Sequence, residues 1–196
     1  GALESVDVSI EFGAGDLRLS SLPVGSPNLV EAQFRGLGAN TSLVRSGEIG
    51  HLKISMDSLL LIRRLFSDVD WQISLGRAPR LSIGLDGGAA DITLDLRDLK
   101  VTSLSVAVGA SETDIIMPSQ AGHVSADINA GVANIEIIVP PGVAAMVTSS
   151  SGLTSVDIDS SRFPRSGRAH ISPDFETAEN RVTIHIQAGA SRVTVR

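Results

Sequence analysis

The sequence predicts an all-β protein, a solenoid-like stack of short strands. Three observations carry that prediction. Apolar residues alternate with polar ones over short runs, as in strands with one buried face. Glycines that end these runs recur at Gly88, Gly109, Gly131 and Gly152, with spacings of 21, 22 and 21 residues, a period suited to stacked repeats. The apolar content is aliphatic, with only five Phe, one Trp and no Tyr, so the core must be built from Val, Ile and Leu, which favour strands.

Taken in order, the first copy alternates through Val6, Val8, Ile10 and Phe12, turns at Gly13-Ala14-Gly15 and continues through Leu17 and Leu19. A degenerate copy is expected through Leu43, Val44, Gly47, Leu52 and Ile54. The regular series begins with Leu81, Ile83 and Leu85, a turn from Asp86 to Ala90, then Ile92, Leu94 and Leu96. Leu104, Val106 and Val108 precede Gly109-Ala110, with Ile115 and Met117 after it. Val124, Ala126 and Ile128 precede Gly131, followed by Ile135, Ile137 and Val139. The last copy is Val182, Ile184 and Ile186, the turn Ala188-Gly189-Ala190, then Val193 and Val195, separated from Gly152 by an insertion.

Each unit has one apolar face and cannot bury it alone, so neighbours must stack their faces into one aliphatic column. Thr93, Asp95, Ser103, Ser105, Asp127, Asn129, Glu136, Thr183 and His185 are then expected on the outside. A β-sandwich is the alternative, but it does not require so steady a period. The whole of 1–196 reads as one domain, with a degenerate part over 1–75 and a regular part over 76–196.

Two stretches break the repeat. In the run Leu59, Leu60, Leu61, Ile62, Arg63, Arg64, Leu65, Phe66, the residues Leu59, Ile62 and Phe66 share a helical face with Leu65 beside them. This run either caps an end of the column or is a partner-binding patch formed by Leu59, Leu60, Ile62, Arg63, Leu65 and Phe66. The second stretch, residues 160–180, reads as a long surface loop with Arg162, Arg165 and Arg168, solvated rather than a site for an anion.

The net charge of −6 arises from 22 acidic and 16 basic residues mixed along the chain, which leaves no basic stripe for nucleic acid. Cysteine is absent, which removes thiolate nucleophiles, disulfides and thiolate metal sites. No run approaches the roughly 18 apolar residues of a membrane span. No nucleophile elbow, phosphate loop or zinc helix is present, and no catalytic, cofactor-binding or metal-ligating residue is predicted. His51, His123, His170 and His185 are scattered and read as solvated or structural. Asp16 and Asp91 follow their turns where Asn134 and Ser155 stand in other copies, so they read as turn residues rather than repeated calcium ligands.

Three segments resemble the bacterial toast-rack domain proteins, related to the C-terminal domain of the cell-wall-active antibiotic response (LiaF-like) family. They are Asn28-Leu29-Val30-Glu31-Ala32-Gln33-Phe34 leading to Gly50-His51-Leu52-Lys53-Ile54, then Asp70-Trp71-Gln72-Ile73-Ser74-Leu75 followed by residues 81–89, and the ending Ser172-Pro173-Asp174-Phe175 through Arg181-Val182 to Gly189-Ala190-Ser191-Arg192-Val193. The likeness covers nearly the whole chain. It implies a non-enzymatic β-rich module of the bacterial cell envelope, commonly attached to a membrane segment or export signal, and in the LiaF-like branch linked to envelope-stress signalling. The chain departs from the family in its apolar 59–66 run and in lacking a membrane segment.

The expected function is accordingly an envelope-associated structural or protein-interaction module without a cofactor. Its expected partner is a protein such as a membrane sensor. The alternative is a carbohydrate- or wall-binding adhesin-like domain. Extracytoplasmic placement through an anchor upstream of Gly1 is expected. Because an open end of a β-stack invites pairing, association of two copies through the solenoid ends is also expected.

Overall fold

A computed structural model describes residues 3–36, 38–56, 69–151 and 155–196. Among these residues there is no helix, and strands form one 14-stranded sheet folded along a corner. The fold is the all-β stack expected from the alternation and the glycine period.

Four long strands make the centre: β1 (Ser5–Ser21), β6 (Arg80–Asp95), β7 (Lys100–Ile116) and β8 (His123–Ile138). Each runs through a glycine corner, where the pairing skips only the glycine itself, giving a rung with two legs. The parallel pairing is β1 on β6, β6 on β7 and β7 on β8, with a shift of register only at Leu81/Ser82. Inward residues of the two legs share one hydrophobic core. On the first leg Ile10, Leu85 and Val106 and on the second Leu17, Ile92 and Ile115 belong to it and are at most 2% exposed. Each such side chain contributes about 1.5–3 kcal/mol on leaving water. None of the nine residues expected outside is buried. Leu22, Leu96, Leu99, Met117, Val139 and Val143, in the returns between rungs, close the open side of the column.

Below β1, one rung is assembled from two strands. β4 (Ile49–Met56) pairs with the first leg of β1 and β5 (Asp70–Leu75) with the second. Beyond them lie β3 (Ala39–Ser46), antiparallel to β4, and β2 (Val30–Arg35), antiparallel to β5. The degenerate copy expected through Leu43 to Ile54 is therefore a hairpin turning at Gly47, whose φ is 64°. A positive φ and an antiparallel register are what a tight reversal requires, and a rung corner needs neither. Trp71 is fully buried at this end, its ring 5.0 Å from Phe12 and 4.9 Å from Phe34.

Above β8, the order of rungs departs from the order of the chain. The rung on β8 is the last copy, β13 (Arg181–Ala188) on the first leg and β14 (Arg192–Val195) on the second. The next is made earlier in the chain, by β9 (Ala144–Ser151) on β13 and β10 (Ser155–Ile158) on β14. The last copy is thus interleaved, and Gly189 continues the column above Gly131, while Gly152 lies outside the described residues. Ser191 stitches it in place: its hydroxyl accepts from the buried Ala133 N–H at 3.1 Å and approaches the Gly131 carbonyl at 3.3 Å.

The stretch 160–180, expected as a surface loop, contributes two more strands. β11 (Arg165–Ser166) and β12 (Ala169–Ile171) continue the first-leg sheet antiparallel beyond β9. Phe163 and Phe175, 1% and 7% exposed, pin it to the stack, and the Ser172 hydroxyl accepts from Ala145 N–H at 2.8 Å. Two aromatics in an otherwise polar segment supply the buried area that a free loop lacks.

Candidate interaction surface

The corner sets the surface available to a partner. Phe12, Gly87, Val108, Ala130 and Ala188 occupy one row of the register, and Gly13, Gly88, Gly109, Gly131 and Gly189 follow them at the bend. A Cβ on Gly131 would lie 2.8 Å from the Gly109 carbonyl oxygen, one on Gly189 2.8 Å from that of Gly131, and one on Gly109 3.1 Å from that of Gly88. One on Gly88 would run into the Gly13 carbonyl. Glycine is therefore required by close approach along this column, since any side chain would enter the neighbouring rung.

The side-chain-free bend leaves a groove of about 890 Å³ running along the stack, from Met56 on β4 to Ser150 on β9. At about 4.8 Å per rung it is roughly 30 Å long. One wall carries Glu11, Asp86, Asn129 and Gln187, each from a successive or near-successive rung. Lys53 holds Glu11 at 2.5 Å, while Asp86 has no ion pair among the described residues. The floor is glycine backbone and the edges of Phe12, Val108, Ala130 and Ala188.

On the second leg the register sorts charges that are mixed along the chain. Asp70, Asp16, Asp91 and Glu112 stand on consecutive rungs in one outward row, continued by Asn134 and Arg192. Arg18 meets Asp70 at 3.4 Å. This acidic row could have been found by aligning the copies on their corner glycines, because Asp16, Asp91 and Glu112 each follow the glycine by the same interval. At the corner Gly15, with φ 113°, lets the Val69 carbonyl approach closely enough to accept from the Asp16 N–H at 2.8 Å.

The proposed patch residues Leu59, Leu60, Ile62, Arg63, Leu65 and Phe66 lie outside the described residues. Their flanks are placed: Met56 lines the groove and Val69 packs on Gly15 at the same corner. The arginines of 160–180 do not act together. Arg162 donates to the carbonyls of Val139 at 2.7 Å and Pro140 at 3.2 Å and stacks over Phe163 at 4.8 Å, a structural role. Arg165 and Arg168 line a separate cleft of about 700 Å³ beside His170 and Asp157.

The histidines each have a local partner. His51 faces Asp7 at 3.1 Å, His123 meets Thr183 at 3.1 Å, His185 meets Thr148 at 2.6 Å, and the His170 ring N–H donates to the Phe163 carbonyl at 3.0 Å. Among the described residues no three His, Asp or Glu side chains converge as metal ligands would. Two carboxyls are held below the usual carboxylate range. Asp95 is lowered by the Arg97 guanidinium, which donates to its two oxygens at 2.9 and 2.6 Å. Asp159 is lowered by the hydroxyl and N–H of Ser161. Each stands where a strand gives way to a turn and accepts from a backbone N–H two residues on.

A family model described as the N-terminal domain of toast_rack, DUF2154, matches residues 1–138. A solved structure from Clostridium sporogenes, described as a proposed cell adhesion protein, shares the fold. Its TM-score is 0.88 at 19% identity, with 99% of this chain and 93% of that chain covered. A proposed adhesin from Bacteroides fragilis aligns over 100% of this chain and 93% of its own at 11% identity, but its TM-score of 0.29 supports no comparison of fold. No curated protein matches the sequence.

Proposed function

The chain belongs to the toast-rack N-terminal domain family, and from that premise we propose that it is a non-enzymatic, envelope-associated module whose corner groove receives an extended segment of a protein partner. The observation that carries this reading is the groove itself. It runs across the rungs, and its floor among the described residues is glycine main chain with the edges of Phe12, Val108, Ala130 and Ala188. Its wall carries a carboxylate or amide on four of five successive rungs, with Ala107 on the other. An extended peptide lying along the groove offers hydrogen-bonding groups of both kinds to that wall. The continuous ladder from β3 to β11 supports reading residues 1–196 as one unit.

The neighbour from C. sporogenes supports an adhesive or envelope setting. A carbohydrate-binding role is the second reading, but the aromatic residue at the groove, Phe12, is 2% exposed and offers no face for a sugar ring. Envelope-stress signalling is the finer proposal and depends on who the partner is.

The test places a photo-crosslinking residue at Asn129 in the groove or at Thr93 on the outer second leg, and exposes each protein to solubilised envelope of the native bacterium. Adducts with an envelope protein from Asn129 and not from Thr93 are expected, and a sensor kinase among them would support the signalling role. Equal labelling at both positions defeats the reading, and capture of wall polymer favours the adhesin-like alternative. The 59–66 run is proposed as a second contact. Leu60→Asp with Phe66→Asp should then leave the thermal melt unchanged and lose the partner. A loss of several kcal/mol of stability would instead make the run a core cap.

A further inference from the structure

The two ends of the stack are unlike. At one end the sheet finishes on β11, two residues long between Arg162 and Arg168, and on the four-residue β10. Short, charged edges of this kind discourage pairing. At the other end it finishes on the eight-residue β3 and the six-residue β2, and among the described residues nothing pairs with the outer edge of either. β3 is exposed along nearly its whole length, on both faces. Leu43 faces the aliphatic column, opposite the buried Leu52, yet is 51% exposed because no rung lies below it.

The sequence of β2 is complementary to itself. Laid antiparallel against a second copy about Gln33, Glu31 falls opposite Arg35 of that copy, and the symmetry repeats the pair. Ala32 then falls opposite the second copy's Phe34, a small residue against a large one. Arg35 has no ion pair within the chain among the described residues, and Glu31 is met by the uncharged Asn28 amide at 2.8 Å. On β3 the matching centre is Ser42, which sets its one charged residue, Arg45, opposite Ala39 of the second copy.

Both pairings can share one axis. Through β5 and β4, Gln33 is level with Arg18 of β1 and Ser42 with Ser9. These stand at nearly equal distances on either side of the corner at Ala14, on legs that face each other across the core. A two-fold axis perpendicular to both legs reverses strand direction and returns each leg to its own kind. We propose that a second copy of this chain docks on this end, β2 on β2 and β3 on β3, so that both sheets and the aliphatic column run through two molecules.

The test is sedimentation equilibrium of the chain across a range of concentrations, with thermal melts to confirm folding. A dimer is expected. Glu31→Arg or Arg35→Glu alone puts like charges opposite each other and should raise the dimer dissociation constant about ten-fold or more, whereas the double swap should restore it to near the wild-type value. Leu43→Lys, at a half-exposed position, should weaken the dimer while leaving the monomer folded. A wild type that stays monomeric at all concentrations overturns the proposal. So does a dimer indifferent to these variants, or a monomer that takes up a strand from a different protein at this edge.

Discussion

Gly189 lies directly over Gly131, so close that a Cβ at Gly189 would stand 2.8 Å from the Gly131 carbonyl oxygen. The contact joins the last copy of the repeat to the copy around Gly131 across the whole stretch that forms β9 to β12. It sets both the order of the rungs and the shape of the groove.

Substitution in this column should be costly at positions where composition alone shows nothing unusual. Gly131→Ala is expected to lose about 1–3 kcal/mol, because its Cβ meets backbone that cannot move without shifting a rung. Gly38→Ala, at a position with open space around the new Cβ and no positive φ, should be neutral or slightly stabilising. Urea midpoints of the two variants check the contrast.

Removing the Ser191 hydroxyl should separate the last rung from its neighbour. Ala133 N–H is buried and bonded to that oxygen, so Ser191→Ala leaves it without an acceptor at a cost of about 1–3 kcal/mol. Amide hydrogen exchange should rise first in β13 and β14 if the stitch is local.

The lone tryptophan reports on the other end of the core. Trp71 is fully buried between Phe12 and Phe34, so its emission should be blue-shifted in the native protein and move to the red in one step with loss of far-ultraviolet signal. Trp71→Ala is expected to lose about 3–5 kcal/mol.

How much of this was legible beforehand follows from what each feature depends on. The corners at Gly88, Gly109 and Gly131 and the inward aliphatics are local patterns, and they stand where the alternation places them. That β13 enters between β8 and β9 is a choice of neighbour, and neither Gly152 nor Gly189 carries a local mark that decides it. The hairpin at Gly47 and the strands after Phe163 fail the repeat for a similar reason: antiparallel pairing at a sheet end needs alternation but no corner. The acidic row is not a local pattern: Glu112 joins Asp16 and Asp91 only when the copies are aligned on their corner glycines, which sets all three at one interval. Of the proposed patch, the structure describes only the flanks Met56 and Val69.

Acid should weaken the return turn after β6. Because the Arg97 guanidinium holds Asp95 below its usual value of 3.8, the pair adds stability above that pH, and the gain is lost as pH falls through the lowered folded value. The side chains are one-third and over one-half exposed, so the contribution is below about 1 kcal/mol. Asp95→Asn should be less stable than the wild type at pH 7, and the two should converge as the pH falls well below 3.8.

The interleaved rung also bears on when the molecule can assemble during its synthesis. Residues 144–158 emerge before 181–195, yet their place in the stack lies beyond them, with β13 and β14 between. An ordinary solenoid can close each coil as it leaves the ribosome. Here β9 and β10 have no place above β8 until β13 and β14 are made, so residues 144–158 cannot join the column in the order of their synthesis.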